Sequence, residues 1–293
     1  AGAMAMAGAA DLLELLLGVL LSSITGYVLA AYHRRSALSV EAGAKFFLVG
    51  ALANALLLLG ATLLFGLAGT TSYQGIALAL DADSSTIVLV AALTLLAIGL
   101  LFEIGGVPAH TWLPDVAQGA PAPAAAFLTV APKIGALVAL GRVVTLLPDE
   151  AVGWRPLLAV VAAATMTVGN LTALWQDDVR RLLGWSSISQ AGYALMALPV
   201  LGLAADAIPG LMFFLAAYAA GQLAAFSVLT ELRGRTALDD YRGLFSRRPA
   251  MATVLSLALL SFVGIPPLAG FVGKLLLFEA TIDGGYGWLA AVA

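Results

Sequence analysis

The chain has 293 residues, 61% of them hydrophobic and only 11% charged, with 14 basic and 17 acidic side chains and a formal net charge of −3. Ordinary globular proteins carry about 25% charged residues, and the mean hydropathy here is +1.00, so a water-soluble domain is excluded. Cysteine is absent, which excludes disulfides and thiolate metal sites.

Apolar runs of about twenty residues recur along the chain, the length that crosses a hydrocarbon core about 30 Å thick. The short alternating segments of a membrane β-barrel are not visible. The expected fold class is therefore an all-α polytopic membrane protein. The opening stretch AGAMAMAGAADLL has no basic region before its apolar run and does not read as a signal peptide. It looks like the tail of a helix, as the closing GGYGWLAAVA looks like the start of one, and a fragment is expected.

Eight spans are expected, approximately at 11–32, 42–67, 86–107, 122–147, 156–175, 181–200, 207–231 and 250–281, with a ninth beginning near 286. Basic residues supply an independent check. His33, Arg34 and Arg35 follow the first span, and Arg180 and Arg181 precede the sixth. Arg233, Arg235, Arg242, Arg247 and Arg248 lie between the seventh and eighth. If every span crosses, these loops share one face, and the opposite loops hold only Arg155. Basic excess marks the cytoplasmic side, which places the residues before the first span outside.

Two spans are interrupted by proline. The third runs into GGVPAHTWLPDVAQGAP, with Pro108 and Pro114, and the eighth contains SFVGIPPLAGFVGK, with Pro266 and Pro267. Interior proline removes a backbone hydrogen bond and clashes with the preceding turn. In a bilayer the freed carbonyls are tolerated only where protein or a water-filled cavity covers them. Paired broken helices in two halves of a chain point to a repeat transporter. The expected organisation is one transmembrane domain over 1–293, with incomplete five-helix repeats at 11–147 and 156–293.

Ionisable groups at membrane depth are functional candidates by default. Lys133 lies about eleven residues into its span, roughly 17 Å deep, too far for easy snorkelling. Lys274 follows the second break. Burial disfavours a charged ammonium, which lets a lysine load and release a proton. Glu103, in LLFEIGGVP, fits either a charge switch with a lysine or a structural ion pair. Lys45 stands near the start of its span, where snorkelling and function are both open, and Glu14 near a span end can simply face water. His110 could relay a proton or satisfy backbone groups in the break. Ser186, Ser187, Ser189 and Gln190 could hold a water chain or bond helices together. Two distant histidines without cysteine give no haem, zinc or iron–sulfur site. With no strands there is no phosphate-binding glycine loop. The arginines of 233–248 read as topology determinants, and no nucleic-acid partner is expected.

Four blocks carry a resemblance: GGVPAHTWLPDVAQGAPAPAAAFLTVAPKIGAL, NLTALWQDDVRRLLGWSSISQAGYALMAL, AAYAAGQLAAFSVL and LLSFVGIPPLAGFVGKLLLF. In this order they are similar to the antiporter-like membrane subunits of respiratory complex I, and the PDVAQGAP and GIPPLAGFVGK forms favour the subunit N branch. The resemblance implies fourteen helices in the whole protein, with two inverted five-helix repeats and one broken helix in each. It implies proton translocation coupled to quinone reduction elsewhere, in a bacterial plasma membrane, with FMN, iron–sulfur clusters and quinone on partner subunits and no cofactor on this chain. The family's central lysines map onto Lys133 and Lys274, and its lysine at a helix start onto Lys45. Three positions depart: Leu20 stands where a glutamate is usual, Glu103 where a lysine is usual, and Gln190 where a histidine is common. Glu103 would leave one carboxylate to pair with Lys133. A subunit of a cation/proton antiporter complex and a diverged structural paralogue are the rival expectations.

Overall fold

Asp11 and Asp178 begin two of the helices in the same manner. The Asp11 carboxylate accepts the Leu13 N–H at 2.7 Å. Asp178 accepts those of Arg180 and Arg181, both at 2.9 Å. A carboxylate there satisfies donors that the first helical turn leaves without partners.

The structure, a computed structural model, describes residues 1–80, 85–146 and 153–293. In chain order the helices are α1 (Gly2–Gly8), α2 (Leu12–Ala30), α3 (Ala37–Ala68), α4 (Tyr73–Ala79), α5 (Thr86–Ile104), α6 (Trp112–Gly119) and α7 (Ala122–Val144). Then come α8 (Trp154–Ala173), α9 (Val179–Leu195), α10 (Ala207–Glu231), α11 (Leu244–Arg247), α12 (Pro249–Val263), α13 (Ala269–Asp283) and α14 (Gly287–Val292). The β pairing among the described residues is two isolated bridges, Asp11 with Ser72 and Asp178 with Ala237. Among the described residues six helices, α2, α3, α5, α7, α8 and α10, are long and apolar enough to cross a membrane.

The fold is all-α, as expected, with three local corrections. The expected span 181–200 is a 17-residue helix ending at Leu195, followed by a 3₁₀ turn over Leu198–Val200. Pro199 in that turn has no N–H to continue the helix. The expected span 250–281 is interrupted at 264–268, where the proline break was expected, and forms α12 and α13. Pro114 does not break a helix but occupies the third position of α6, in the first turn, where a missing N–H costs nothing. The short helix α4 was not expected, being too brief to cross a bilayer, whereas α1 falls where a helix tail was expected. Residue 147, the end of the expected fourth span and first repeat, lies outside the described residues.

Both breaks are built alike. α5 ends at Gly105, φ +75°, and α12 at Gly264, φ +90°, left-handed conformations that glycine adopts without a Cβ clash. Gly106 N–H then reaches Leu101 O at 2.8 Å, and Ile265 N–H reaches Leu260 O at 3.2 Å. The Val107–Pro108 and Pro266–Pro267 peptide bonds are cis.

Packing sorts the apolar side chains into two separate clusters stacked along the helices. The first takes Leu12–Val19 of α2, Leu57–Leu64 of α3, Ala136–Val144 of α7 and Ala191–Leu195 of α9. The second takes Ala30, Ala42–Ala53 of α3, Ala125–Val130 of α7 and Val179–Ile188 of α9. Between them, at mid-length, lie the buried polar residues Ser22 and Ser23 of α2, Lys133 of α7, and Ser189 and Gln190 of α9. Asn54 of α3 stands at the same level. The seam between two apolar layers is thus a polar layer crossing the helices.

Candidate functional site

Lys133 is the twelfth of the 23 residues of α7 and only 1% exposed. Its Nζ donates to Ser187 O at 2.5 Å, to Ser187 Oγ at 2.6 Å and to Tyr218 Oη at 3.4 Å. An ammonium has three N–H donors, and all three are engaged. The ammonium also lies 4.8 Å from the Tyr218 ring centroid, a cation–π distance. Ser187 and Tyr218 are 2.7 Å apart, and the Tyr218 hydroxyl donates to Thr129 O at 2.9 Å. Gln222 Nε2 reaches Thr129 Oγ1 at 3.2 Å. The preceding Pro132 lies inside α7 and lacks the N–H that would continue the helical ladder. The result is a hydrogen-bonded string from lysine through serine to tyrosine, joining α7, α9 and α10.

Lys274 sits at the other break, 8% exposed, its ammonium 3.9 Å from the Tyr193 ring centroid and 3.4 Å from Val263 O. Gln190 Nε2 donates to the adjacent Phe262 O at 3.2 Å. These carbonyls end α12, where four lack helical partners and the helix dipole favours a cation. Gln190 therefore holds helices together, the reading left open with the water chain, whereas Ser189 Oγ is buried with no hydrogen-bond partner among the described residues. His110 is inside the first break, its ring 5.8 Å from that of Trp185 and its Nδ1 buried without a partner among the described residues. Pro108 precedes it, and Trp112 Nε1 caps Phe102 O at 3.1 Å.

Glu103 corrects an expectation. It is 2% exposed and accepts from Ser22 Oγ at 3.0 Å and Ser23 Oγ at 2.5 Å, both on α2. It does not pair with Lys133, because the lysine's donors are committed to α9 and α10 on another side. Leu20, where the family pattern has a glutamate, is 41% exposed and faces outward. Lys45, 47% exposed at the side chain, contacts Glu41 at 2.7 Å and Asp115 at 3.0 Å. Asp115 also receives Arg181 Nη1 at 2.5 Å, so one α6 carboxylate ties α3 to α9. Lys45 is thus placed apart from the central layer. Glu14 Oε2 accepts the Ala10 N–H at 2.9 Å near the start of α2. The basic loops meet as expected: His33, Arg180, Arg233 and Arg235 line one cavity of 620 Å³.

Tyr218, Thr129, Gln222, Asp115, Ser22 and Ser23 were not singled out by the sequence. Spacing carried a signal for four of the polar-layer residues. Thr129 and Lys133, and Tyr218 and Gln222, are four apart and so share a helix face. In the Tyr218→Phe variant Ser187 and Lys133 each lose a partner and Thr129 O an additional donor, in a site fully buried. An unsatisfied buried group costs about 1–3 kcal/mol. Thermal unfolding is expected to show a loss of that size, against little change for Tyr32→Phe, an exposed tyrosine.

The family described as NADH:quinone oxidoreductase/Mrp antiporter, TM, matches residues 9–293. The chain belongs to that family. The chain is also similar to NADH-quinone oxidoreductase subunit N of Mycobacterium sp. (strain JLS), 50% identical over 291 residues, covering 99% of this chain. The chain spans 61% of that relative's length. A chain in respiratory complex I from Thermus thermophilus is 37% identical, with a TM-score of 0.85 covering 99% of this chain and 63% of that one. A chain in the Mrp complex from Dietzia sp. DQ12-45-1b is 26% identical, with a TM-score of 0.87 covering 99% and 55%. Within the family, then, the same helical frame serves both kinds of assembly, and the charged side chains inside it must be weighed individually.

Proposed function

We propose that this chain belongs to an antiporter-like subunit N in a complex I-type NADH-quinone oxidoreductase, and that it moves protons along its polar layer. The path would include Glu103, Lys133 and Lys274, with His110 at the first break and Lys45 near the helix end. One observation carries the reading: Lys133, fully buried midway along α7, is bonded to a serine–tyrosine string between two apolar layers. A group that accepts and donates protons, placed where water is otherwise excluded, is what stepwise transfer needs. The similar ends of α5 and α12 support two inverted repeats, 11–147 and 156–293. Other membrane subunits are the partners, and FMN, iron–sulfur clusters and quinone belong to them. The basic residues around one cavity support a plasma-membrane orientation with that end cytoplasmic and the residues before the first span outside.

Likeness to the Dietzia Mrp chain favours a second reading, a subunit of a cation/proton antiporter complex. Reconstitution of the assembled complex in liposomes separates the two. Proton uptake driven by NADH oxidation, and lowered by Lys274→Ala, fits the first reading. Sodium–proton exchange without an electron donor fits the second. Undiminished uptake in both Lys133→Ala and Lys274→Ala, with the complex assembled, would refute the lysine path and favour a diverged, non-pumping subunit.

A further inference from the structure

Glu103 is a carboxyl group buried to 2% exposure with no ion-pair partner among the described residues, an arrangement that an ionised side chain does not tolerate cheaply. The protein surrounds it with hydroxyls instead of a cation. Ser22 Oγ and Ser23 Oγ each donate to one of its two oxygens, at 3.0 and 2.5 Å. Both serines stand near the middle of the 19-residue helix α2, at the level of the polar layer. Tyr27 stands one turn on from Ser23 on the same face of α2, and its hydroxyl accepts from Asn54 Nδ2 of α3 at 3.4 Å. Two bonded pairs, Ser23 with Glu103 and Asn54 with Tyr27, thus stand in sequence across α5, α2 and α3. At the far end Asn54 Oδ1 is buried and accepts no hydrogen bond among the described residues.

We propose that Glu103, Ser22 and Ser23 form a proton-binding site of their own, in which the carboxyl group carries the proton and the α2 hydroxyls, not Lys133, are its exchange partners. The inference rests on the proton-moving reading above and adds residues to it. In the ionised state both serines donate to the carboxylate. When a proton is added to Oε1, the new O–H donates to Ser23 Oγ, and the serine hydrogen turns to Tyr27 Oη. The tyrosine hydrogen then needs an acceptor, and a half-turn of the Asn54 amide presents the unused Oδ1 to it. Every hydrogen keeps a partner in either state, which is the requirement for a buried group that changes charge. An arrangement built only to be an ionised structural acceptor would have no use for the spare oxygen at Asn54.

The other titratable groups on neighbouring elements are committed elsewhere. On α2, Glu14 accepts the Ala10 N–H. On α3, Glu41 and Lys45 pair with each other, and Lys45 with Asp115. On α7, Lys133 is engaged by Ser187 and Tyr218, and Arg142 donates to Ala7 O at 2.8 Å. Tyr27 is the remaining one and is paired with Asn54.

The test is infrared difference spectroscopy of the assembled complex between acidic and alkaline pH, with quinone reductase activity as the check on assembly. The expected result is a protonated-carboxyl C=O band that is lost in Glu103→Gln, shifted in the Ser22→Ala/Ser23→Ala double variant and retained in Lys133→Met. Glu103→Asp should restore a band at a displaced position. A band set unchanged in Glu103→Gln would overturn the proposal, as would disappearance of the Glu103 band in Lys133→Met. Proton flux separates the two readings. Wild-type flux in Lys133→Met contradicts the lysine path, whereas lost flux in Lys133→Met with full flux in Glu103→Gln contradicts the Glu103 site alone.

Discussion

Lys133→Met is expected to lower proton flux by about a hundredfold or more, the scale on which removal of a proton-transferring group acts, while leaving the protein as stable as before or more so. The two halves of this expectation have one cause. The ammonium is 1% exposed and bound by neutral groups, with no carboxylate in an ion pair with it among the described residues. A buried charge without a counter-ion is a burden on folding, and apolar replacement of buried charges is often neutral or stabilising by about 1–4 kcal/mol. Methionine keeps most of the lysine stem and so leaves little cavity. Ser187 and Tyr218 still hold one another at 2.7 Å. Thermal unfolding and flux measured on one preparation check both parts. A drop in both would mark Lys133 as structural.

Trp112→Ala should have the opposite profile, destabilising the fold by about 3–5 kcal/mol, as large aromatic truncations in cores do. Trp112 opens α6 and is 1% exposed. It stacks on Phe46 of α3, with ring centroids 4.1 Å apart, and lies 5.4 Å from the Phe102 ring of α5. Its indole N–H also caps Phe102 O, a carbonyl in the last turn of α5. One side chain thereby fills the space beneath the first break and adds a second donor to a carbonyl that also accepts the Gly105 N–H. Trp112→Phe restores much of the stacking but not the indole hydrogen bond, and should lose only about 0.5–1.5 kcal/mol. Denaturation of the purified assembly in detergent, followed by tryptophan-independent helicity, measures the difference.

How far the sequence spoke depends on the length over which each signal extends. Apolar runs such as Ala207–Glu231 repeat one message over many residues, and that helix has the bounds expected of it. The breaks were legible because glycine and proline act through their own backbone chemistry, needing no neighbour. Pro114 shows the limit: the same residue that interrupts a helix interior fits in a first turn, and only the start of α6 at Trp112 decides which applies. Lys133 and Lys274 stood out because charge is rare in such a chain. Their partners did not, since a serine or tyrosine in an apolar run becomes informative only when another helix meets it. Glu103 is the clearest case. Its sequence neighbourhood suggested a lysine partner, yet its hydrogen bonds come from Ser22 and Ser23, more than seventy-five residues earlier in the chain. The two-layer core and the polar seam between the layers are likewise properties of packed helices, with no local counterpart in any one of them.

In the proposed function protons cross through Lys133 and the polar layer around it. The number of protons moved per electron by the assembled, reconstituted complex carrying Lys133→Met tests it most directly. The expected ratio lies below that of the unaltered complex, with electron transfer to quinone still measurable. An unaltered ratio in a fully assembled complex would contradict it.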